Sequence, residues 1–382
     1  MNILHINNYV PPLAGGTEVY LERLCIYFNN PKKPHTMHTC SLKPYKTTPL
    51  KNCFIFKTMA DLKKRIKQQK IQLIVLQNTG LFDATLLLSC AIPIVKIIND
   101  YDLFSTWSGG YNRLTLQPST LPFKSILNPL GHITRNGVTK NWENTHLLKK
   151  LKTRKQLNSF YKTLVFTKEM QRIAQKAGIK NTYLFPHGTP EEKKSKTPVQ
   201  KVNRVQFSAA LYRGKGIHLL CELAKHLKQS NIEVVITGDG PMSGFIKDYS
   251  QKHHLSNLHY KGRVPREELN ALLETSKLFC ITSIREALGL NGMEAMSYAT
   301  PVVAFDVGGI PTWLKHNKNG VLIKPFDTKE MANTIIDLIH DETKYNKLSQ
   351  QALKDFNQHY NWKKVVKKQE AIFQSVINNY KN

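Results

Sequence analysis

Acidic side chains are scarce in this 382-residue chain: 27 Asp and Glu stand against 55 Lys and Arg, a formal net charge of +28. A surface so short of carboxylates attracts anions, whether nucleic acid, anionic lipid headgroups or acidic glycans. Cysteine is thin as well. The six residues Cys25, Cys40, Cys53, Cys90, Cys221 and Cys280 are scattered without a C-x-x-C pair, which argues against a zinc site and a disulfide framework. Long apolar runs are missing too. The best of them, LFDATLLLSCAIPIVKII, is interrupted by Asp83, Pro93 and Lys96 and does not suit a bilayer span. The start MNILHINNYVPP lacks the basic end, apolar stretch and small-residue cleavage site of a secretory signal. The expectation is therefore a cytoplasmic protein. No nucleic-acid-binding motif occurs, so nucleic acid is not an expected partner.

What is present is apolar material for real cores, 41% hydrophobic and 9% aromatic, in a length that suggests two domains. Short apolar runs alternate with amphipathic segments from end to end, the pattern of parallel sheets covered by helices. Strands are expected at NILHIN, TMHTCSL, CFIFKT, IQLIVLQN, IPIVKII and TLVFT, with helices at GTEVYLERLCIYF and MADLKKRIKQQK. Residues 102–140 fit neither period and read as a long functional excursion. After TYLFPHGT, the charged, apolar-poor PEEKKSKTPVQKVNR reads as a linker, and the alternation then restarts with RVQFSAAL, EVVITG, LHYKG, KLFCITS, PVVAF and GVLIKP. The reading is an α/β chain with a Rossmann-like first domain over 1–188, a linker at 189–203, a second Rossmann-like domain over 204–360 and a final helix at 361–382. Two doubly wound domains facing a central cleft are implied. The basic excess is uneven, with 30 basic and 10 acidic residues in 1–200 against 25 and 17 in 201–382.

The densest chemistry lies in REALGLNGMEAM. KLFCITS reads as a buried strand and GLNGMEAMSYA as the helix after it, so Glu286 sits in the turn at the strand's carboxyl end and Glu294 in the early helix. Open α/β sheets bind ligands at such ends, and helix amides there favour phosphate. Two carboxylates beside an anion site suggest sugar hydroxyls as their partners, hence a phosphorylated sugar or a nucleotide. Two plainer readings stay open: Asn291 and Glu294 have the spacing of a capping box, and Glu286 has the place of a solvated turn residue. Other strand ends on the same rim carry glycine turns. LYRGKGIHLL places Arg213 and Lys215 ahead of a helix, positioned to meet a diphosphate. VITGDGP contains Gly238, and AFDVGGIP places Gly308 and Gly309 where backbone would approach a ligand. Arg263, after LHYKG, joins the donor-side candidates.

These residues resemble the retaining GT-B glycosyltransferases of glycosyltransferase family 4. The likeness runs over nearly the whole chain and is strongest in Glu286, seven residues, Glu294 and AM, then PVVAFDVGGIP and NGVLIKPFD. It implies that Glu286 contacts the donor sugar, that Glu294 binds the nucleotide ribose, and that Leu290 and Asn291, after Gly289, offer backbone amides to the diphosphate. It also implies that Lys215 and an upstream arginine neutralise the diphosphate. PPLAGGTE resembles the family's glycine loop, with Gly15 and Gly16 near the reaction centre. YLFPHG resembles the hinge before the second domain, with His187 where Asn is more usual, and the last helix, with Trp362, resembles the one that crosses back. Two departures stand out. The usual Gly-Arg before the lysine is Ala209 and Ala210, leaving the arginine role to Arg213, and the usual His-Asp is Asn99 and Asp100.

The resemblance implies retaining transfer of a sugar from a nucleotide-diphosphate sugar, of UDP or GDP type, to a glycan or lipid-linked acceptor. The basic first half suits an anionic acceptor made at the inner membrane face, such as a lipopolysaccharide or capsule intermediate. No D-x-D pair has a fitting setting (DYD at 100–102 falls in the wrong domain), so neither metal nor cofactor is expected beyond the co-substrate. The alternatives are a sugar-nucleotide epimerase on the same fold, a non-catalytic binder of anionic polymer, and a glycosyltransferase-like protein without activity.

Overall fold

Strands with five consecutive buried residues, such as LIVLQ at Leu73–Gln77, can only sit in a sheet covered on both faces, and the two large parallel sheets among the described residues are built of such buried strands. The computed structural model describes residues 1–11, 16–43, 47–79, 82–101, 153–189 and 199–380, together with two short strands near 133–138. Gly15, most of the excursion at 102–140 and the core of the expected linker, 190–198, lie outside the described residues.

In chain order the first half contributes β1 (Asn2–Asn7), α1 (Gly16–Phe28), β2 (Thr36–Ser41), β3 (Cys53–Phe54), α2 (Met59–Gln68), β4 (Leu73–Gln77) and β5 (Ile94–Ile98). A separate antiparallel pair, β6 (Ile133–Thr134) and β7 (Gly137–Val138), precedes β8 (Lys162–Val165), α3 (Lys168–Lys176) and β9 (Thr182–Leu184). The second half contributes β10 (Val202–Ser208), α4 (Ile217–His226), β11 (Glu233–Thr237), α5 (Ser243–His253), β12 (Leu258–Tyr260), α6 (Arg266–Thr275) and β13 (Ser276–Ile281). It closes with α7 (Leu290–Ser297), β14 (Val302–Phe305), β15 (Gly320–Ile323), α8 (Thr328–His340), α9 (Glu342–Asp355) and α10 (Trp362–Tyr380).

The described residues fall into two units: 1–101, 153–186 and 366–380 form one, and the strands at 133–134 and 137–138, 187–189 and 199–365 form the other. The first holds a parallel sheet in the order β3-β2-β1-β4-β5-β8-β9 and the second a parallel sheet in the order β12-β11-β10-β13-β14-β15. The α/β reading of two doubly wound units is thus correct. Each order reverses once, between β1 and β4 and between β10 and β13. Such switch points open a crevice at the strands' carboxyl ends.

Each unit has its own core. In the first, Phe28, Phe185 and Phe373 are fully buried, with ring centroids 6.1 Å apart for Phe28 and Phe373 and 5.5 Å for Phe185 and Phe373. Two of these three aromatics come from the unit's late segments, so α10 is part of its core from Val366 on. Buried Gln369 fixes that packing by accepting from the Tyr20 hydroxyl at 3.0 Å and donating to the Pro186 carbonyl at 2.6 Å. In the second unit Trp313, Phe207, Phe279 and Phe305 are fully buried around the strands that carry the switch point.

Candidate functional site

At the second unit's switch point the chain leaving β10 turns through a single 3-10 turn, Arg213–Lys215, and ends it at Gly216, whose φ of 68° suits glycine. The chain leaving β13 runs through Thr282 and Ser283 to Glu286 and enters α7 at Gly289, φ 79°. The two turns are tied together. Ile284 N–H donates to the Gly214 carbonyl at 3.0 Å, and Thr282 Oγ1 donates to the Lys215 carbonyl at 3.2 Å. A Cβ on Gly216 would stand 1.8 Å from the Thr282 carbonyl oxygen, so only glycine permits this approach.

That approach brings Lys215 Nζ to 2.5 Å from Glu286 Oε2, an ion pair directly across the switch point. Ser283 Oγ donates to the same oxygen at 3.0 Å. Their side chains keep 19% and 10% of their exposure, so the pair is partly desolvated yet open on one side. Glu286 is therefore no solvated turn residue. Its backbone is also held: the Gly309 N–H donates to the Glu286 carbonyl at 2.8 Å, and a Cβ on Gly308 would lie 2.1 Å from that oxygen. The expectation that Gly308 and Gly309 admit a ligand is corrected here. The missing side chain of Gly308 admits the Glu286 backbone, and Gly309 holds that backbone through its N–H.

The capping-box reading of Asn291 and Glu294 is also overturned. Gly289 is the N-cap of α7 and supplies no side-chain cap, while Asn291 Oδ1 accepts from the Gly292 N–H at 3.0 Å. Asn291, inside the first turn, donates through Nδ2 to the Ser208 carbonyl at 2.8 Å and so ties α7 to the end of β10. The α7 start rests on Trp313, whose Nε1–H donates to the Leu288 carbonyl at 2.5 Å; a Cβ on Gly292 would meet the Trp313 ring at 2.3 Å. A rigid helix start with uncapped amides at Leu290 and Asn291 is an anion site in waiting. One turn further on, Glu294 accepts from Arg266 Nη2 at 3.1 Å and from Thr189 Oγ1 at 3.3 Å on Oε1, and from Arg266 Nη1 at 3.4 Å on Oε2.

Lys215, Glu286, Gly289, Leu290, Asn291 and Glu294 thus converge on one rim, with exposed Arg213 in the same turn as Lys215. Gly238 and Arg263 stand one and two strands out from the switch. Gly238 (φ 120°) packs against Ala209, where a Cβ would lie 1.9 Å from the carbonyl oxygen. Exposed Arg263 neighbours Asp239, whose carboxyl is held below its ordinary range first by Ser243 Oγ and then by the Gly240 N–H, with Arg263 a smaller influence.

Other candidates lie elsewhere. In the first unit, Gly16 opens α1 and Asn99 follows β5, its Oδ1 accepting from Gln77 Nε2 at 2.8 Å. Exposed Asp100 partly offsets the burial of Lys96, which donates to Thr79 Oγ1 at 2.7 Å and is pushed down to about 8 chiefly by that burial. His187, at the start of the second unit, is lowered to about 4 by burial, and its Nδ1 lies 3.0 Å from the Gly188 carbonyl oxygen, so it is a neutral ring at pH 7. Sequence reading missed Ser283, Thr189, Arg266, Gln77 and Trp313. Arg266 alone offered a signal, a cation in the first turn of a helix, where the helix dipole disfavours it.

Residues 188–355 match the family model for Glycosyl transferases group 1. Among curated proteins the chain is similar to the N-acetyl-alpha-D-glucosaminyl L-malate synthase of Bacillus anthracis, 29% identical over 163 residues, which are 42% of each protein. It is similar also to the O-antigen chain mannosyltransferase C of Escherichia coli, 24% identical over 155 residues, 40% of this chain and 41% of that one. The matched stretch spans less than half the length of either relative. Among solved structures, Anabaena HepE in complex with UDP and glucose superposes with a TM-score of 0.73 over 98% of this chain and 100% of that one, at 18% identity. That likeness carries the fold.

Proposed function

We propose that the protein is a retaining glycosyltransferase that moves a sugar from a nucleotide-diphosphate sugar, of UDP or GDP type, to a hydroxyl of a glycan or lipid-linked acceptor. One observation carries the reading: a lysine and a glutamate meet at 2.5 Å across the switch point, beside the uncapped start of α7. The Glycosyl transferases group 1 match over the same residues supports it.

In this reading the diphosphate settles on the Leu290 and Asn291 amides and draws Lys215 Nζ toward its oxygens, with exposed Arg213 closing over it. Lys215 then shares its charge between phosphate and Glu286, and the freed acceptor capacity of Glu286 positions the sugar hydroxyls. Glu286 also offsets positive charge that develops at the sugar ring. The α7 amides and the Glu286 backbone are fixed before the substrate arrives, so that part of the stabilisation needs no reorganisation in the transition state. The anomeric carbon–phosphate oxygen bond breaks as the acceptor oxygen bonds to the same face, and the acceptor's proton passes to the departing phosphate. Lys215, Arg213 and the α7 amides meet the diphosphate charge, so the transfer proceeds without a metal ion. Asn99, Asp100, Gly15 and Gly16 serve the acceptor side, and His187 the segment between the domains.

The acceptor is assigned to an anionic, membrane-associated glycan of surface polysaccharide or lipopolysaccharide synthesis, which places the enzyme at the inner face of the cytoplasmic membrane. The support is charge: 30 basic against 10 acidic residues in 1–200, including exposed Lys64, Arg65 and Lys67 along α2. Among the described residues no helix is long and apolar enough to cross a membrane. The test is release of UDP or GDP from a panel of nucleotide sugars with and without glycan acceptors, in the presence of EDTA, with NMR of the product's anomeric centre. Acceptor-dependent release with retained configuration supports the proposal. Epimerised nucleotide sugar without acceptor, or no donor turnover, removes it.

A further inference from the structure

Arg266 is an odd residue for its place. It is the first residue of α6, where a cation opposes the helix dipole, and Pro265 before it supplies no side-chain cap. Glu267 and Glu268 stand in the same turn, yet the guanidinium reaches across to Glu294 on α7, a residue 28 positions away. A pair with 37% and 22% side-chain exposure adds little to stability. What it does fix is the direction of a carboxylate.

That carboxylate has a defined shortage. An ionised carboxylate offers about four lone-pair sites. Arg266 Nη2 and Thr189 Oγ1 fill the two on Oε1, at 3.1 and 3.3 Å, while Oε2 receives only the long 3.4 Å contact from Arg266 Nη1. Oε2 therefore has one site open and one weakly held. Both restraining groups are themselves anchored. Thr189 is clamped by its own backbone, donating to the Tyr360 carbonyl and accepting from the Trp362 N–H at 3.0 Å each, and Arg266 is anchored in α6. Glu294 stands four residues past Leu290, about 6 Å along the helix from the amides assigned to the diphosphate. In a nucleoside diphosphate, the sugar of the nucleoside lies at that remove from the phosphates.

We propose that Arg266 is a positioning residue for recognition of the ribose cis-diol: by holding Oε1 of Glu294 it turns Oε2 toward the two vicinal hydroxyls, the second of which displaces the long Nη1 contact. This rests on the nucleotide-sugar reading of the same site. The geometry selects ribose over 2′-deoxyribose, because one hydroxyl cannot fill both positions on Oε2, and the selection depends on a residue that touches neither phosphate nor transferred sugar.

The test is calorimetric titration of UDP, GDP and their 2′-deoxy counterparts into the wild-type protein and the Arg266→Ala, Arg266→Lys and Glu294→Ala variants, with melting curves for each. The wild type is expected to prefer the ribonucleotide by about tenfold or more. Arg266→Ala should weaken the ribonucleotide by about tenfold while leaving the deoxynucleotide within about threefold, collapsing the preference to the level of Glu294→Ala. Arg266→Lys, which keeps the charge but not the planar fork, should fall between. In turnover, Arg266→Ala should raise the donor KM with kcat little changed. Equal weakening of both nucleotides, or an undiminished preference in Arg266→Ala, overturns the proposal while leaving the nucleotide-sugar reading intact. A wild-type protein that binds no nucleoside diphosphate overturns both.

Discussion

Lys215 and Glu286 neutralise each other across the switch point, so each is expected to show its worth when the other is removed. Lys215→Ala leaves a mostly buried carboxylate with only Ser283 as partner, and should cost on the order of 1–3 kcal/mol of stability. Lys215→Ala combined with Glu286→Gln should cost less than Lys215→Ala alone, since no uncompensated charge remains. Chemical denaturation of the single and double variants checks this, and additive losses would show that the two side chains do not interact. Asn291 and Glu294 should differ in kind. Asn291→Ala removes the bond to Ser208 and costs about 0.5–1.5 kcal/mol of stability, with nucleotide affinity close to wild type, whereas Glu294→Ala should cost affinity first. Melting and titration of both variants separate them. Residue identities at this site were legible because Glu286, Lys215 and Gly289 fall at strand ends in the linear order. Partners were not. Asn291 and Glu294 have capping-box spacing whether or not Asn291 is the N-cap, and only the left-handed φ of Gly289 shows that the helix starts two residues earlier. The Arg266 partner lies 28 residues upstream, which no local pattern reveals.

Elements were easier to read than partners. GTEVYLERLCIYF is the observed α1, and the alternating runs fall on their strands, because buried parallel strands and amphipathic helices impose their periods on the sequence. β9 was missed as a strand: Thr182–Leu184 is three residues long and two of them are exposed, too little for a period. The tertiary use of glycine was misread as well, since Gly308 serves a backbone approach visible only in the fold. Gly292 is the sharpest case. Gly292→Ala would drive a methyl group to 2.3 Å from Trp313 and should destabilise the second unit by about 1–3 kcal/mol, displacing the start of α7. Thermal melting with tryptophan emission as the probe reads both effects, and an unchanged melting point would refute the packing. In the first unit, β1 buries His5 completely, and burial pushes its imidazole down to about 3. Below the ordinary histidine range the unfolded chain takes up a proton that the folded chain refuses. Stability is therefore whole above about pH 6.5 and falls toward pH 3 by roughly 1.4 kcal/mol per pH unit for this one group. Urea unfolding at pH 7, 5.5 and 4.5 should show that slope reduced in His5→Gln.

At the scale of the molecule the composition and the fold point the same way. The two-unit α/β architecture was legible from alternation alone, while most of the 102–140 excursion and Gly15, both expected near function, fall outside the described residues. If the proposed attachment to an anionic bilayer rests on the basic excess, it is salt-dependent. Co-sedimentation should require anionic lipid and fade past about 0.5 M salt, where the Debye length is a few ångströms. Binding to neutral vesicles at high salt would contradict an electrostatic attachment. In the proposed function, the switch point of the second sheet holds a nucleoside diphosphate through Lys215. Calorimetric titration of UDP, GDP, uridine and guanosine into the wild-type protein and Lys215→Ala tests it most directly. One diphosphate should bind the wild type and lose about tenfold to a hundredfold of its affinity in Lys215→Ala, a loss of about 1.5 to 3 kcal/mol, while the matching nucleoside is nearly unaffected. Equal losses for diphosphate and nucleoside, or a diphosphate that binds Lys215→Ala as well as the wild type, would contradict it.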